Sequence, residues 1–145
     1  MIDMMAINAI DVRKDFSNIM NQVVYNRPLF LKGTRDYACL LNVGTMRSIL
    51  SAYHFTAQVE HEKDGSYTIV LNEIDLVENG KTEDEVCSRL ASSILEYAKE
   101  FYEEYDFWSK APNREGHIPY ILKALIIGNP GEIGKEISYA EMEII

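Results

Sequence analysis

The spacing of apolar residues changes twice along this chain, and this feature restricts the possible folds more than any other. Within residues 12–23 apolar side chains recur every three or four positions, which is the period of an amphipathic helix. Within residues 55–71 they alternate with polar side chains, as in half-buried strands, around an Asp64-Gly65 pair that is typical of a hairpin turn. The helical period returns within residues 86–101. These patterns together predict the α+β class.

Residues 1–53 are predicted to form a first domain with the element order β-α-β-β-α. A short strand at "MAINAI" comes before the helix, which should end near Asn26 because Pro28 disfavours helical backbone in the residue before it. The hairpin and the second, shorter helix are predicted from the runs "PLFLKG", "DYACLLNV" and "GTMRSILSAY".

Residues 54–107 are predicted to form a second domain with the order β-β-β-α. Its third, weaker apolar run ends at Gly80, and a capping box follows. In this box the Thr82 oxygen and the Glu85 carboxylate each accept a hydrogen bond from a free backbone N–H. The apolar stripe continues beyond the box, so we expect the helix to run to about Phe107.

Residues 108–145 form a C-terminal extension whose structure the sequence leaves open. The segment "IPYILKALII" fits a helix or a strand, "GNPGEIG" predicts a turn-rich break, and "KEISYAEMEII" fits a final strand or an arm. A packed extension would complete the core, whereas an exposed one would bind a partner.

Charge is divided unevenly along the chain. Residues 1–53 contain six Lys/Arg and four Asp/Glu, a net charge of +2, whereas residues 54–145 contain eight Lys/Arg and nineteen Asp/Glu, a net charge of −11. A basic head can accept phosphate and an acidic body repels it, so we expect the two parts to have different partners. Chance variation between small domains is the alternative explanation.

Several features predict a cytoplasmic protein. Cys39 and Cys87 lie far apart within apolar patterns, which indicates reduced, buried thiols and no disulfide. The first ten residues have neither the basic region nor the cleavage site of a secretion signal. The longest apolar stretch is interrupted by Lys123 and is too short for a bilayer, so no membrane partner is expected.

No group of residues predicts catalysis, and we expect no enzyme activity, no metal, no cofactor and no small-molecule substrate. His54, His61 and His117 occur in separate contexts without the spacing of metal ligands. Neither cysteine has a basic neighbour placed to activate its thiolate. An enzyme would instead require a pocket lined by at least two carboxylates.

The stretch "INAIDVRKDFSNIMNQVVYNRPLFLKGTRDYACLLNVGTMRSIL" resembles the Phd/YefM (prevent-host-death) family of antitoxins. Asp11-Val12-Arg13 lies where the family has an acidic-x-Arg helix start, and the hairpin and second helix follow in the family's order. Ile10 stands where the family usually has a capping Ser or Thr. The resemblance implies a domain that dimerises and binds DNA.

The resemblance also implies which residues contact DNA. Arg13 and Lys14 fall in the first turn of the predicted helix, where the helix dipole disfavours cations. DNA binding would account for them, because a helix start and its cations bind phosphate and reach base edges. Lys32 and Arg35, in the predicted hairpin turn, are expected to contact the DNA backbone. The alternative is a solvated surface without a ligand.

The stretch "FTAQVEHEKDGSYTIVLNEIDLVENGKTEDEVCSRLASSILEY" resembles the HicB-like antitoxin domain. The acidic hairpin, the entry at residues 80–82 and the helix led by Glu85 carry this resemblance, while "NEIDL" replaces the family's Pro-Asp-Leu-Pro-Gly-like residues. The resemblance implies a partial ribonuclease-H-like β-β-β-α fold. The acidic surface of this body would suit a basic toxin.

Aromatic residues crowd the end of the predicted long helix. Tyr102, Tyr105 and Trp108 are the candidate partner-binding residues, because interfaces favour large aromatic anchors. Packing in the core is the alternative for these rings.

Together these features predict the antitoxin of a type II toxin-antitoxin system. We expect it to neutralise a cognate protein toxin and to repress its own operon by binding operator DNA as a homodimer. The alternative is an interaction scaffold whose degenerate Phd-like head does not bind DNA.

Overall fold

The computed structural model describes residues 1–142 of the chain. Helices and two sheets occur within this part, which confirms the predicted α+β class. The chain divides into two compact units, unit 1 (Met1–Ile49) and unit 2, which begins at Leu50. The functional boundaries after residues 53 and 107 stay a prediction.

Unit 1 combines a three-stranded sheet with short helices. Its elements are α1 (Ile2–Met5), β1 (Ile7–Asn8), α2 (Ala9–Lys14), α3 (Phe16–Tyr25), β2 (Leu29–Lys32), β3 (Tyr37–Leu40) and α4 (Val43–Leu50). The strand order is β1-β2-β3, in which β1 runs parallel to β2 and β2 runs antiparallel to β3. The predicted hairpin and second helix are confirmed.

The amphipathic pattern of unit 1 is divided between two helices. The prediction of one helix starting at Asp11 is wrong, because α2 begins two residues earlier and ends before Asp15. The backbone of Asp15 has φ −135° and ψ 44°, which lies outside the helical range and breaks the helix before α3. The strand predicted at "MAINAI" is correspondingly reduced to the two residues of β1.

The core of unit 1 is small. Its buried apolar cluster consists of Val12, Ile19, Val23 and Leu29. Ile19 and Val23 are one helical turn apart on α3, so a single stripe of that helix packs into this cluster. Three partly buried residues, Ile7, Leu31 and Leu40, pack against its edge.

Unit 2 combines a four-stranded sheet with one long helix and several shorter helices. Its elements are β4 (Phe55–His61), β5 (Tyr67–Leu71), β6 (Val77–Gly80), α5 (Glu83–Glu103), α6 (Tyr105–Lys110), α7 (Ile118–Ile127), α8 (Pro130–Lys135) and β7 (Ile137–Met142). The strand order is β6-β5-β4-β7. The predicted hairpin of β4 and β5 is confirmed, and Gly65 at its turn has φ +89°, which favours glycine.

The start of α5 confirms the predicted capping box. The Thr82 side chain accepts a hydrogen bond from the Glu85 N–H at 3.1 Å, and Glu85 Oε2 accepts one from the Lys81 N–H at 2.8 Å. The Lys81 N–H, followed by the nearby Arg89 charge, lowers the pKa of the Glu85 carboxyl. The far end differs from the prediction, because α5 ends at Glu103 and a separate α6 follows it.

The extension predicted from residue 108 onward belongs to unit 2. The segment "IPYILKALII" forms the helix α7, and Gly128, the residue after it, caps its end with φ +70°. The turn-rich break predicted at "GNPGEIG" is wrong: Asn129 caps a further helix, α8, by accepting the Glu132 N–H at 3.1 Å. The last described segment, β7, packs as a strand parallel to β4. The end of the predicted arm, residues 143–145, lies outside the described residues.

The core of unit 2 lies between the sheet and the helices α5, α7 and α8. Its fully buried large side chains include Phe55, Phe101, Ile69, Leu71, Ile74, Leu90, Ile94, Ile121 and Ile133. The cysteines are placed differently from the prediction of buried thiols, because Cys39 is exposed and Cys87 is half-buried. Residues 1–142 include no helix with the length and apolarity needed to cross a membrane.

Candidate functional site

The first candidate surface contains the cations of α2. Arg13 and Lys14 lie in the last turn of this helix and are exposed, so their predicted position in a first turn is wrong. The dipole of a helix is negative at its carboxyl end, where cations are favourable. Their position on α2 therefore explains these two residues without a ligand.

The two cations of the β2–β3 hairpin differ in whether they have a partner within the chain. Lys32 Nζ lies 3.2 Å from Asp3 Oδ1 and 6.0 Å from the centre of the Tyr37 ring. Arg35 is exposed in the turn, which the Gly33 N–H closes by donating to the carbonyl of residue 36 at 2.9 Å. Arg35 is therefore presented to solvent, whereas Lys32 already has a partner.

The sheet register separates these cations. Lys32 is paired with Asn8, which is the N-cap of α2. Arg13 and Lys14 lie at the opposite end of that helix, about 9 Å along its axis. The structure thus distributes the predicted DNA-binding residues over both ends of α2 and does not gather them at one helix start.

A second candidate surface is an apolar stripe on α3. Phe16, Met20 and Val24 succeed one another at intervals of four, so they occupy one face of the helix, and they are 55%, 38% and 44% exposed. This face adjoins the buried stripe of Ile19 and Val23. The apolar arc of α3 is thus wider than the part that its own unit covers. We call the three exposed residues the α3 stripe.

The third candidate surface is a group of aromatic rings at the junction of α5 and α6. The buried Phe101 ring is in edge contact with Tyr105, at 5.6 Å between centroids, and stacks on Trp108 at 6.5 Å. Phe107 in turn meets Trp108 edge-on at 5.2 Å and is 64% exposed. Tyr102, which is 62% exposed, lies on the preceding turn of α5.

We call Tyr102, Tyr105, Phe107 and Trp108 the aromatic ridge. The structure brings the predicted Tyr105 and Trp108 together on one buried ring, and the half-buried Trp108 also packs against the core. Sequence reasoning missed Phe107. The sequence offered one signal for Phe107, its place in the aromatic run "FYEEYDFW". The apolar stripe of the predicted helix, which was traced only to Phe101, did not include it.

Three acidic residues, Glu103, Glu104 and Asp106, lie between the ridge residues in the sequence. The last turn of α5 contains no basic residue, and Glu103 and the C-cap residue Glu104 are exposed without an ion-pair partner within residues 1–142. Asp106 is paired with Lys110 at 2.6 Å. Carboxylates at the carboxyl end of a helix add to its negative potential, so Glu103 and Glu104 make this end of α5 negative.

A buried histidine lies elsewhere in unit 2. The Tyr97 hydroxyl lies 2.8 Å from Nδ1 of His117, and Asp75 Oδ2 lies 3.7 Å from Nε2. Burial, and then the Arg114 charge, lower the pKa of His117, and burial raises the pKa of Tyr97. The lowered pKa favours the neutral ring, which shares a hydrogen bond with the Tyr97 hydroxyl.

A cleft of about 310 Å³ between α5, α8 and β7 contains the second cysteine. Burial raises the pKa of the Cys87 thiol, and burial together with Cys87 raises the pKa of Tyr139 to about 12. These shifts keep both groups protonated, whereas an activated nucleophile needs a lowered pKa. In the part of the chain that the structure describes, no three His, Cys, Asp or Glu side chains are grouped to hold a metal ion.

Exposed apolar and aromatic patches of this kind are typical of surfaces that bind other macromolecules. A crystal structure from Syntrophomonas wolfei subsp. wolfei, described as the antitoxin part of a proposed toxin/antitoxin system, is similar to this chain. The TM-score is 0.87 and the sequence identity is 31%, over 94% of this chain and 99% of the other.

The sequence assigns the family. Residues 2–139 match the PHD-like family, whose description is "Antitoxin of toxin-antitoxin, RelE / RelB, TA system". The chain belongs to this family and is an antitoxin of a toxin-antitoxin system, as the sequence predicted. Its partner class is accordingly a toxin. No curated protein matches the chain.

Proposed function

We propose that unit 1 is a Phd/YefM-like domain that dimerises and binds operator DNA, and that unit 2 is a HicB-like body that binds the toxin. The antitoxin acts in the cytoplasm, represses its own operon and neutralises the toxin by covering its surface, with no reaction catalysed. The observation that carries this proposal is the exposed α3 stripe beside the small core of unit 1.

The size of unit 1 supports dimerisation. A domain of about 60 residues buries only about 60% of its unfolded surface and is marginally stable, and unit 1 is shorter still. Its four core residues give it little apolar burial, whereas the α3 stripe offers three more large side chains to a partner. A second copy that packs its own stripe on this one would complete both cores.

Charge supports the division of partners between the units. The basic residues of the chain's first part outnumber its acidic ones, and Arg13, Lys14 and Arg35 are exposed there. DNA binding depends on cations that replace the counterions of phosphate. Unit 2 has a net charge of −11, which would repel DNA and attract a basic toxin.

The test is duplex binding, measured by fluorescence anisotropy with DNA from upstream of the gene and a scrambled duplex. We expect the wild-type protein to prefer its own DNA by about a thousandfold or more and log K to fall linearly with log salt. Arg13→Ala should weaken binding and reduce the salt slope by about one. Lys63→Ala, which removes an exposed cation from unit 2, is the matched control and should bind like wild type.

A second candidate function is a scaffold whose head dimerises without binding DNA. The observations that favour it are the favourable position of Arg13 and Lys14 at the carboxyl end of α2 and the Lys32–Asp3 ion pair. If the protein dimerises but binds neither duplex at low salt, this second function replaces the repressor.

A further inference from the structure

We propose that the aromatic ridge is the surface of unit 2 that receives the toxin, and that it receives an arginine-bearing segment. This inference rests on the proposed toxin binding by unit 2 and specifies both the place of contact and the chemistry of the partner. The argument combines the exposure of the rings, their fixed positions and the charge around them.

Two rings of the ridge, Tyr105 and Phe107, are exposed but held in place by contacts with neighbouring rings. Phe107 is 64% exposed, yet its edge contact with Trp108 connects it to the fully buried Phe101. Tyr105 contacts the same buried ring. Side chains fixed in this way lose little conformational freedom on binding, which is what an interface anchor requires.

The charge at the end of α5 favours a cationic partner. Glu103 and Glu104 add two carboxylates to the negative end of the 21-residue helix α5, and no residue of the described chain pairs with them. The acidic residues at the amino end of α5 are in a favourable environment instead. They lie at the positive pole of the helix, and Glu85 also forms an ion pair with Arg89 at 2.8 Å. A cationic partner would therefore relieve the repulsion between these two carboxylates and the negative end of α5.

The combination of rings and carboxylates favours arginine over lysine. A guanidinium is planar, so it can lie against an aromatic face while its N–H groups donate to a carboxylate in a bidentate pair. A lysine ammonium is a strongly hydrated point charge and makes no bidentate contact. The exposed rings of Tyr102 and Phe107 provide the faces, and Glu103 and Glu104 provide the acceptors.

The test titrates the full-length protein with three twelve-residue peptides of alternating sequence, Arg-Ala, Lys-Ala and Glu-Ala. Trp108 is the only tryptophan of the chain and lies in the ridge, so its fluorescence reports binding there directly. We expect the arginine peptide to change this fluorescence with saturation and to bind at least about threefold more tightly than the lysine peptide. The glutamate peptide should have no effect.

Two sets of variants locate the binding. Phe107→Ala and the pair Glu103→Gln/Glu104→Gln should each weaken arginine-peptide binding about tenfold. The matched controls, Val77→Ala and the pair Glu60→Gln/Glu83→Gln, change exposed residues of unit 2 outside the ridge and should bind like wild type. Equal binding by the ridge variants and the controls, or no response of Trp108 to any peptide, would overturn the inference.

Operator binding measured on the same samples separates this inference from the proposed function. Ridge variants that lose the peptide but retain DNA binding support both. Ridge variants that retain the peptide overturn the inference and leave the repressor intact. A wild-type protein that binds the peptide at the ridge but no DNA overturns the repressor and leaves the ridge as a docking surface.

Discussion

Unit 1 and unit 2 differ in how completely they bury their own apolar residues. The apolar cluster of unit 2 contains seventeen buried residues, whereas that of unit 1 contains four. Among the described residues, twelve of the eighteen exposed large hydrophobic side chains nevertheless lie in unit 1, which is about half as long as unit 2. Unit 2 therefore covers most of its own apolar residues, whereas unit 1 leaves a larger share of them exposed to solvent.

The two units also differ in net charge. Unit 1 has a net charge of +2 and unit 2 has a net charge of −11, and the chain changes sign within a few residues of the boundary at Leu50. Two acidic surfaces repel each other, so the homodimer that we propose would form through unit 1. The acidic surface of unit 2 would then be free to bind the basic toxin of the same proposal.

The largest effect on stability is expected from a substitution in the core of unit 2. Ile94→Ala, in the middle of α5, should lower the free energy of unfolding of unit 2 by about 2–5 kcal/mol, because it leaves a cavity at a fully buried site. Urea unfolding followed by Trp108 fluorescence measures this directly, since the only tryptophan lies in unit 2.

The matched substitution in the other core is Ile19→Ala in α3. It should leave the midpoint of the Trp108 transition unchanged, because its cavity lies in unit 1. Equal shifts from both substitutions would contradict the separation of the two cores.

A smaller effect is expected at the start of α5. Thr82→Ala removes the oxygen that accepts the Glu85 N–H and should lower the stability of unit 2 by about 1 kcal/mol. Thr34→Ala, in the exposed turn of unit 1, is the control and should change the Trp108 midpoint by less than about 0.5 kcal/mol. An unchanged midpoint for Thr82→Ala would mean that the cap contributes nothing.

The smallest expected effect concerns pH and is also confined to unit 2, which contains all three histidines. The pKa of His117 is lowered in the folded state, so the unfolded chain binds a proton more readily. The stability that the neutral ring provides is therefore complete above about pH 6.5 and is lost progressively as the pH falls below that value.

The groups that face His117 are Tyr97, Asp75 and Arg114. His117→Phe should make the Trp108 midpoint less dependent on pH between 7.5 and 5.5, whereas His54→Asn should keep the wild-type dependence. If the slope of stability against pH is the same in all three proteins, His117 is not the group that titrates.

Local patterns predicted the parts of the fold that local interactions determine. The Asp64-Gly65 hairpin, the Thr82 cap and the helical period of α5 each depend on neighbouring residues, and all three are confirmed. The break at Asp15 could not be predicted, because the apolar spacing continues through it and only the backbone angles of this one residue leave the helical range.

Long-range pairing explains the remaining errors. The pairing of β7 with β4 joins segments about 80 residues apart, and nothing in the sequence of either strand specifies the other. The helix α8 was missed because its glycines suggested a turn, although Asn129 and Pro130 are typical of a helix start. Of the candidate sites, the ridge was found from its aromatic content, whereas the α3 stripe was hidden within a pattern that predicts a core.

The most direct test of the account is the mass of the protein by sedimentation equilibrium at micromolar concentrations. We expect wild type to have twice the 16.6 kDa mass of the chain and Met20→Glu, in the α3 stripe, to have the mass of one chain. Tyr25→Glu changes a more exposed residue on another face of α3 and should remain a dimer. A wild-type mass of 16.6 kDa at every concentration would contradict the claim that a second copy completes unit 1.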